Sequence, residues 1–214
     1  MNRTLKLLVF SDIFVLTGFG LISPIMAIFI NGSIVGGTIA AVGIASMITI
    51  VMRCALQLLF ANIGKPSQRY GMALTGTLMI STVPFIYLFS HNIWQVFIGA
   101  FINGLGSGLA NPAWFSLFSE NLDEGQGGWE WSIYSSLVGF GTAAAAFLGS
   151  WMAGKFGFRP VFAVMGILAV LGALLLTGLF RKDYEKKMGL DKKNKVKKGS
   201  IGSTGAKSKL HSHR

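Results

Sequence analysis

The sequence predicts an all-α, polytopic membrane protein whose six transmembrane helices form two inverted three-helix repeats. Three observations carry this reading: six apolar runs long enough to cross a bilayer, Lys and Arg gathered at alternate ends of those runs, and motifs of the first three runs that return in the last three. Apolar residues make up 52% of the 214 and charged residues only 13%, where a soluble domain carries about a quarter charged. Mean hydropathy is +0.58. The 28 glycines suit helices that pack closely in lipid.

A hydrocarbon layer about 30 Å thick takes about 20 helical residues to cross. The runs that satisfy this are Leu5–Ile30, Thr38–Ala61, Tyr70–Phe89, Ile93–Phe118, Trp131–Met152 and Pro160–Phe180. The first is too long, and too polar at its flanks, for a cleaved signal peptide. Pro24, Pro84 and Pro112 fall in spans one, three and four, where they are expected to kink the helices without ending them. Trp94, Trp129 and Trp131 lie near span ends, the usual place for interfacial anchors. Cys54, the one cysteine, excludes a disulfide framework and a thiolate metal site and reads as a small packing residue.

The net charge of +11 is confined. Twelve of the 19 Lys and Arg lie between Arg181 and Arg214, so the basic character belongs to a tail and not to a nucleic-acid-binding surface. With six crossings, Arg3, Lys6, Lys65, Arg69 and the tail share one side, while the other receives Lys155 and Arg159. The positive-inside rule then puts both termini in the cytoplasm, with the chain multi-pass in the cell membrane. The two expected domains are a transmembrane unit, 1–181, with repeats of about 1–90 and 91–181, and a disordered tail, 182–214. The tail's lysines favour anionic lipid headgroups by about 1 kcal/mol each near the surface.

The repeat is read from three matches. Gly20 to Pro24 returns as Gly108 to Pro112, and Val42 to Ser46 as Val138 to Thr142. Gly64-Lys65, Arg69, Ala73 and Gly76 return as Gly154-Lys155, Arg159, Ala163 and Gly166. Units of three crossings must be inverted relative to each other, a building pattern of secondary transporters.

Four stretches resemble one half of a major facilitator superfamily transporter. They are span one with Asp12 and Ser23-Pro24, the loop Ala61 to Arg69, Gly104 to Pro112 in span four, and Gly141 to Ser150 followed by Lys155 to Phe162. There are departures: the loop lacks the family's aspartate, Ala100 stands where the fourth helix usually has arginine, and Ala145-Ala146 replace a glycine-proline of antiporters. The resemblance implies the fold and leaves the coupling ion open. Since the family has two six-helix halves, it also implies that a homodimer could rebuild the complete architecture.

Within the spans, Asp12 and Arg53 stand out because a charge in hydrocarbon costs at least ~2.5–3.5 kcal/mol unless paired or hydrated. Their depths agree within one helical turn, so they can form an ion pair or face one watery cavity. Gln57 follows Arg53 by one turn. Asn103, Ser107 and Asn111 make a polar stripe on span four that Trp114 extends, beside a Gly104/Gly108 packing face. Tyr134 and Ser135 share a stripe of span five with Trp131, Val138 and Thr142, next to a face of Gly141, Ala145 and Gly149. These residues are candidates for binding or coupling a small solute, or for hydrogen bonds between helices. Lys65 and Arg69 are gating-loop candidates, with Glu120, Asp123, Glu124 and Glu130 as acids they can meet or leave solvated.

No enzyme motif occurs: glycine runs sit inside apolar spans, and no serine has an evident base. His91, His211 and His213 lie outside the spans, and no cofactor or metal site is expected. The reading is a facilitator-type transporter of a small solute working by alternating access. A non-transporting scaffold or subunit and a flippase for lipid or hydrophobic compounds are the alternatives.

Overall fold

A computed structural model describes residues 3–61 and 68–178 of the chain. The compact unit that holds the spans ends at Thr177. The expected tail, with His211 and His213, lies outside the described residues, as does Lys65.

Among the described residues, six helices are long and apolar enough to cross a membrane. Span one is α1 (Arg3–Ile22), a 3-10 turn (Ser23–Ile25) and α2 (Met26–Ser33); spans two to five are α3 (Ile39–Ala61), α4 (Arg69–Leu88), α5 (Ile93–Glu120) and α6 (Gly127–Phe156). Span six is α7 (Phe158–Gly178). Alternation then puts the start of α1, α4 and α6 and the end of α3, α5 and α7 at one end of the bundle, called here the near end.

Prolines act differently at their three sites. Pro24 opens a 3-10 turn that splits span one, whereas α4 and α5 run unbroken through Pro84 and Pro112. The missing N–H hydrogen bond is absorbed where neighbouring turns keep theirs. Helix α6 starts four residues before the expected Trp131 and ends four after Met152, because Gly127 to Glu130 close a polar first turn that hydropathy alone does not count. At the far end Val35 and Asn92 form a single β-bridge, with Val35 N–H donating to His91 O at 2.9 Å and Ile93 N–H to Val35 O at 3.0 Å. Asn92 and Gln95 cap α5 reciprocally, and Gly36 supplies the left-handed turn beside them, φ 79°.

Helix packing follows the inverted repeat. In α1, Gly18 faces the Met165 carbonyl and Leu168 of α7, while Gly20 faces Thr142 of α6. In α5, Gly106 faces the Gly76 carbonyl and Ile80 of α4, while Gly108 faces Arg53 and Leu56 of α3. Each Gly-x-Gly therefore lets one helix approach two neighbours at once. The two back spans, α4 and α7, meet through Ser81, whose hydroxyl donates to Ala169 O at 3.0 Å, and through Phe85 over Gly166.

These contacts set spans two and five in a different register from their sequence motifs. Gly20 meets Thr142, and its sequence counterpart Gly108 meets Leu56 and Arg53, so Thr142 corresponds to the turn that holds Arg53 and Leu56. The motif match had paired Thr142 with Ser46. Recurrent small residues at helical spacing produced that slip, as small residues fit any turn of a close seam.

A Cβ on Gly76 would lie 2.5 Å from the Gly106 carbonyl, whereas one on Gly139 would meet nothing within 4 Å. Gly76→Ala is therefore expected to lower stability by about 1–3 kcal/mol through overpacking. Gly139→Ala should leave stability unchanged or raise it by under about 1 kcal/mol through helix propensity. Thermal unfolding in detergent distinguishes the two outcomes.

Candidate solute site

Asp12 lies on α1 nine residues from its start, and its carboxylate accepts a 2.6 Å hydrogen bond from the Tyr134 hydroxyl of α6. This bond goes to an aromatic residue of span five and not to Arg53. Since α1 and α6 run side by side, Asp12–Tyr134 and, higher up, Thr17–Gly141, Gly20–Thr142 and Leu21–Gly149 form successive rungs of one seam. The small-residue face expected on span five is thus the surface that lets the carboxylate and the phenol meet.

Aromatic rings enclose the Tyr134 side of this pair. Tyr134 lies 4.8 Å from Trp114, 5.3 Å from Phe118 and 5.4 Å from Trp131, ring centre to ring centre. Trp114 stacks on Phe118 at 5.0 Å. Trp114 and Tyr134 are buried, while Trp131 is 43% exposed at the edge of the cluster. The Trp114 indole N–H and the Thr17 hydroxyl are buried and have no hydrogen-bond partner among the described residues. Burying such groups unpaired costs energy, so this seam holds polar capacity that the helices themselves do not use.

Further toward the far end, a cleft of about 330 Å³ opens between α1, α3 and α5. Its lining is mainly apolar, with Phe19, Ile22, Met26 and Ile50 among the residues that form it, and Ser23, Ser46, Thr49 and Asn103 are its polar groups. Thr49 donates to the carbonyl of Ala45 or of Ala100, at 3.1 and 3.0 Å. Asn103 therefore reaches the cleft, but Ser107 turns its hydroxyl onto the Asn103 carbonyl at 2.7 Å. Asn111 is half-buried on the same stripe.

Arg53 and Gln57 are half-buried on α3, and Arg53 forms no ion pair among the described residues. Tyr134 and Ser135, expected on one stripe, separate: the first is buried against Asp12 and the second is exposed. Adjacent helical residues point about 100° apart, which suffices to put them on different faces. Cys54, expected to pack internally, is exposed on α3. Among the gating-loop candidates, Arg69 pairs with Glu120, joining the start of α4 to the end of α5. Glu130 is buried and accepts from the Asp123 backbone N–H at 3.0 Å. Sequence reasoning missed Phe118 and Thr49 as neighbours of these sites. An aromatic spaced one turn after Trp114 was the available signal for Phe118.

Six apolar spans, with a carboxylate hydrogen-bonded inside the bundle, define a polytopic α-helical membrane protein. The chain belongs to the Major Facilitator Superfamily, whose family model matches residues 8–212. Among solved structures it is similar to the POT family transporter PepTSo, at 18% identity with a TM-score of 0.72, over 85% of this chain and 38% of that one. It is also similar to an auto-inhibited POT family peptide transporter, at 16% identity with a TM-score of 0.64, over 85% and 37%. The chain thus spans less than two-fifths of the length of these transporters. No curated protein matches it by sequence.

Replacing Tyr134 with Phe keeps the ring and removes the bond to Asp12, so Tyr134→Phe is expected to cost about 0.6–2 kcal/mol, as hydrogen bonds between membrane helices do. Exposed Ser135→Ala should stay within about 0.5 kcal/mol. For Arg69 and Glu120, which are 25% and 48% exposed, a double-mutant cycle should give a coupling below about 1 kcal/mol.

Proposed function

We propose that the chain is a facilitator-type secondary transporter of a small solute, multi-pass in the cell membrane with both termini cytoplasmic. It works by alternating access as a homodimer that restores the two-halved fold. The observation that carries this reading is the Asp12–Tyr134 pair, held inside the bundle on the near-end side of a mainly apolar cleft that Ser23, Ser46, Thr49 and Asn103 also line, in a fold shared with solute transporters. A carboxylate at this depth is costly unless it is used or satisfied, and one hydrogen bond leaves acceptor capacity for a solute or a proton.

In this reading Asp12, Tyr134, Trp114 and Asn103 contact the solute, and Ser107, Asn111, Gln57 and Ser135 line its route. Arg53 offers the opposite charge at a similar depth, so solutes with a cationic and an anionic end suit the surface. Arg69–Glu120 ties the near ends of α4 and α5, where a gate must hold and release. Anionic lipid at the basic tail is the remaining partner.

Uptake into proteoliposomes tests the reading, using a panel that includes short peptides, sugars and organic cations. At least one solute should move down its gradient, and Asp12→Asn should cut its rate by about tenfold or more, or 1.4 kcal/mol, with the fold retained. No uptake across the panel would favour a scaffold or a subunit of another assembly.

A further inference from the structure

The cleft between α1, α3 and α5 runs from an exposed mouth to a buried floor. Ser23, Ser46 and Ile50 are exposed where it opens, whereas Ile22, Ala45 and Ala100 are buried along its walls. The back layer supplies the floor, through Tyr87 of α4 and Met165 of α7, both buried. The slot therefore crosses the front layer of the bundle and ends on a phenol.

The hydroxyl of Tyr87 is one that the protein does not use. The residue is 6% exposed, and its ring packs 5.7 Å from that of Phe162, centre to centre. A Cβ on Gly99 of α5 would lie 2.4 Å from the same ring, so glycine there makes room for it. The hydroxyl forms no hydrogen bond with another described residue, yet it is not among the polar atoms sealed from open space. The open space that Tyr87 lines is the cleft. On the wall, the Asn103 carboxamide meets the Ser107 hydroxyl through its oxygen, at 3.5 Å, and its N–H donors have no partner among the described residues. Thr49, by contrast, spends its hydroxyl on backbone carbonyls.

Charge and size then narrow the occupant. Among the described residues no acid or base lines the cleft. Asp12 lies seven residues before Phe19 on α1 and Arg53 three after Ile50 on α3, so both charges sit on its near-end side. An ionic group between these walls would be desolvated without a counter-ion. A hydrocarbon chain would leave the phenol and the carboxamide unpaired in apolar surroundings, which also costs energy. The volume of about 330 Å³ is at the lower end of the ~300–1,000 Å³ of small-molecule pockets.

We infer that the cleft is the subsite for the uncharged end of the solute, a ring-sized apolar group that carries one hydroxyl or carbonyl oxygen. Tyr87 is its specificity-determining residue and donates to that oxygen at the floor, with the Asn103 amide as a second donor. The inference deepens the transport reading and rests on it only in calling the occupant a solute; occupancy itself is tested without transport.

Protection of a cleft cysteine from a small water-soluble thiol reagent is the test, in lipid vesicles holding the full chain. Ser46→Cys in a Cys54→Ser background puts a thiol at the mouth, with Ser23→Cys in its place if that variant does not insert. Gln126→Cys, exposed just before α6, is the control outside the cleft. The probes share one ring: benzyl alcohol, its oxygen-free counterpart ethylbenzene, cationic benzylamine and anionic benzoate. Benzyl alcohol should slow labelling of Ser46→Cys saturably and leave Gln126→Cys unchanged. The other three should need about fivefold higher concentrations or more, the worth of at least one hydrogen bond. Tyr87→Phe keeps the ring, so it should raise the half-protecting concentration of benzyl alcohol about fivefold and leave that of ethylbenzene unchanged. If Tyr87→Phe does not fold, the difference between benzyl alcohol and ethylbenzene in the native cleft still decides.

Equal protection by ethylbenzene would overturn the inference in favour of a hydrocarbon occupant such as a lipid chain. Stronger protection by benzylamine or benzoate would overturn it in favour of a charged one, and no protection by any probe would overturn it outright. Unchanged protection by benzyl alcohol in a folded Tyr87→Phe would contradict the role given to Tyr87. Uptake on the same vesicles separates the readings. Protection without uptake upholds the subsite and contradicts transport, and uptake without protection does the reverse.

Discussion

Everything in this bundle depends on how closely α1 and α5 can approach their neighbours. Between helices in lipid there is no hydrophobic drive, because the tails are as apolar as the side chains, so association rests on packing and hydrogen bonds. Gly18 and Gly20 give α1 two contact lines, and Gly106 and Gly108 give α5 the same two. A Cβ at any of the four would lie 2.7 to 3.2 Å from the nearest atom of the next helix. The inverted repeat is therefore a statement about close contact, written in glycine.

The polar groups acquire their meaning from that contact. Once Gly141 and Gly149 bring α6 onto α1, Tyr134 is carried to Asp12, and the rings of Trp114 and Phe118 close around it. The equivalent seam between α3 and α5 holds no carboxylate, and it opens instead into the cleft walled by Ser46, Thr49 and Asn103. The two triplets share one scaffold and have diverged in chemistry, one enclosing a charge and the other leaving a void. Asp12 and Arg53, the two charges well inside the spans, are thus separated between the two seams.

Much of the fold was legible because hydropathy and charge placement report directly on what lipid tolerates. The six spans, the inverted repeat and the packing face of Gly104 and Gly108 follow from residue type and spacing alone. Register was less legible: Val42 to Ser46 resembles Val138 to Thr142, yet by their glycine contacts Thr142 corresponds to the turn that holds Arg53 and Leu56. The candidate site was read in its parts and not in its pairings. Asp12, Trp114 and Tyr134 were recognisable as polar or aromatic residues within spans, but the bond joining Asp12 to Tyr134 crosses 122 positions of sequence. Such a pair depends on which faces the seam brings together, and periodicity within one helix does not contain that information. Ser135 shows the same limit, since its stripe was drawn wide enough to include Tyr134 and the structure separates them.

The central proposal is that the cleft lined by Asn103 is the solute's place in the bundle and therefore opens to water. Its most direct test is the accessibility of single cysteines to a small water-soluble thiol reagent in a Cys54→Ser background. Asn103 lines the cleft, whereas Phe101, two residues away on α5, faces outward at 43% exposure. Asn103→Cys should be labelled in vesicles and Phe101→Cys should resist. Labelling of Phe101→Cys with protection of Asn103→Cys would contradict the account.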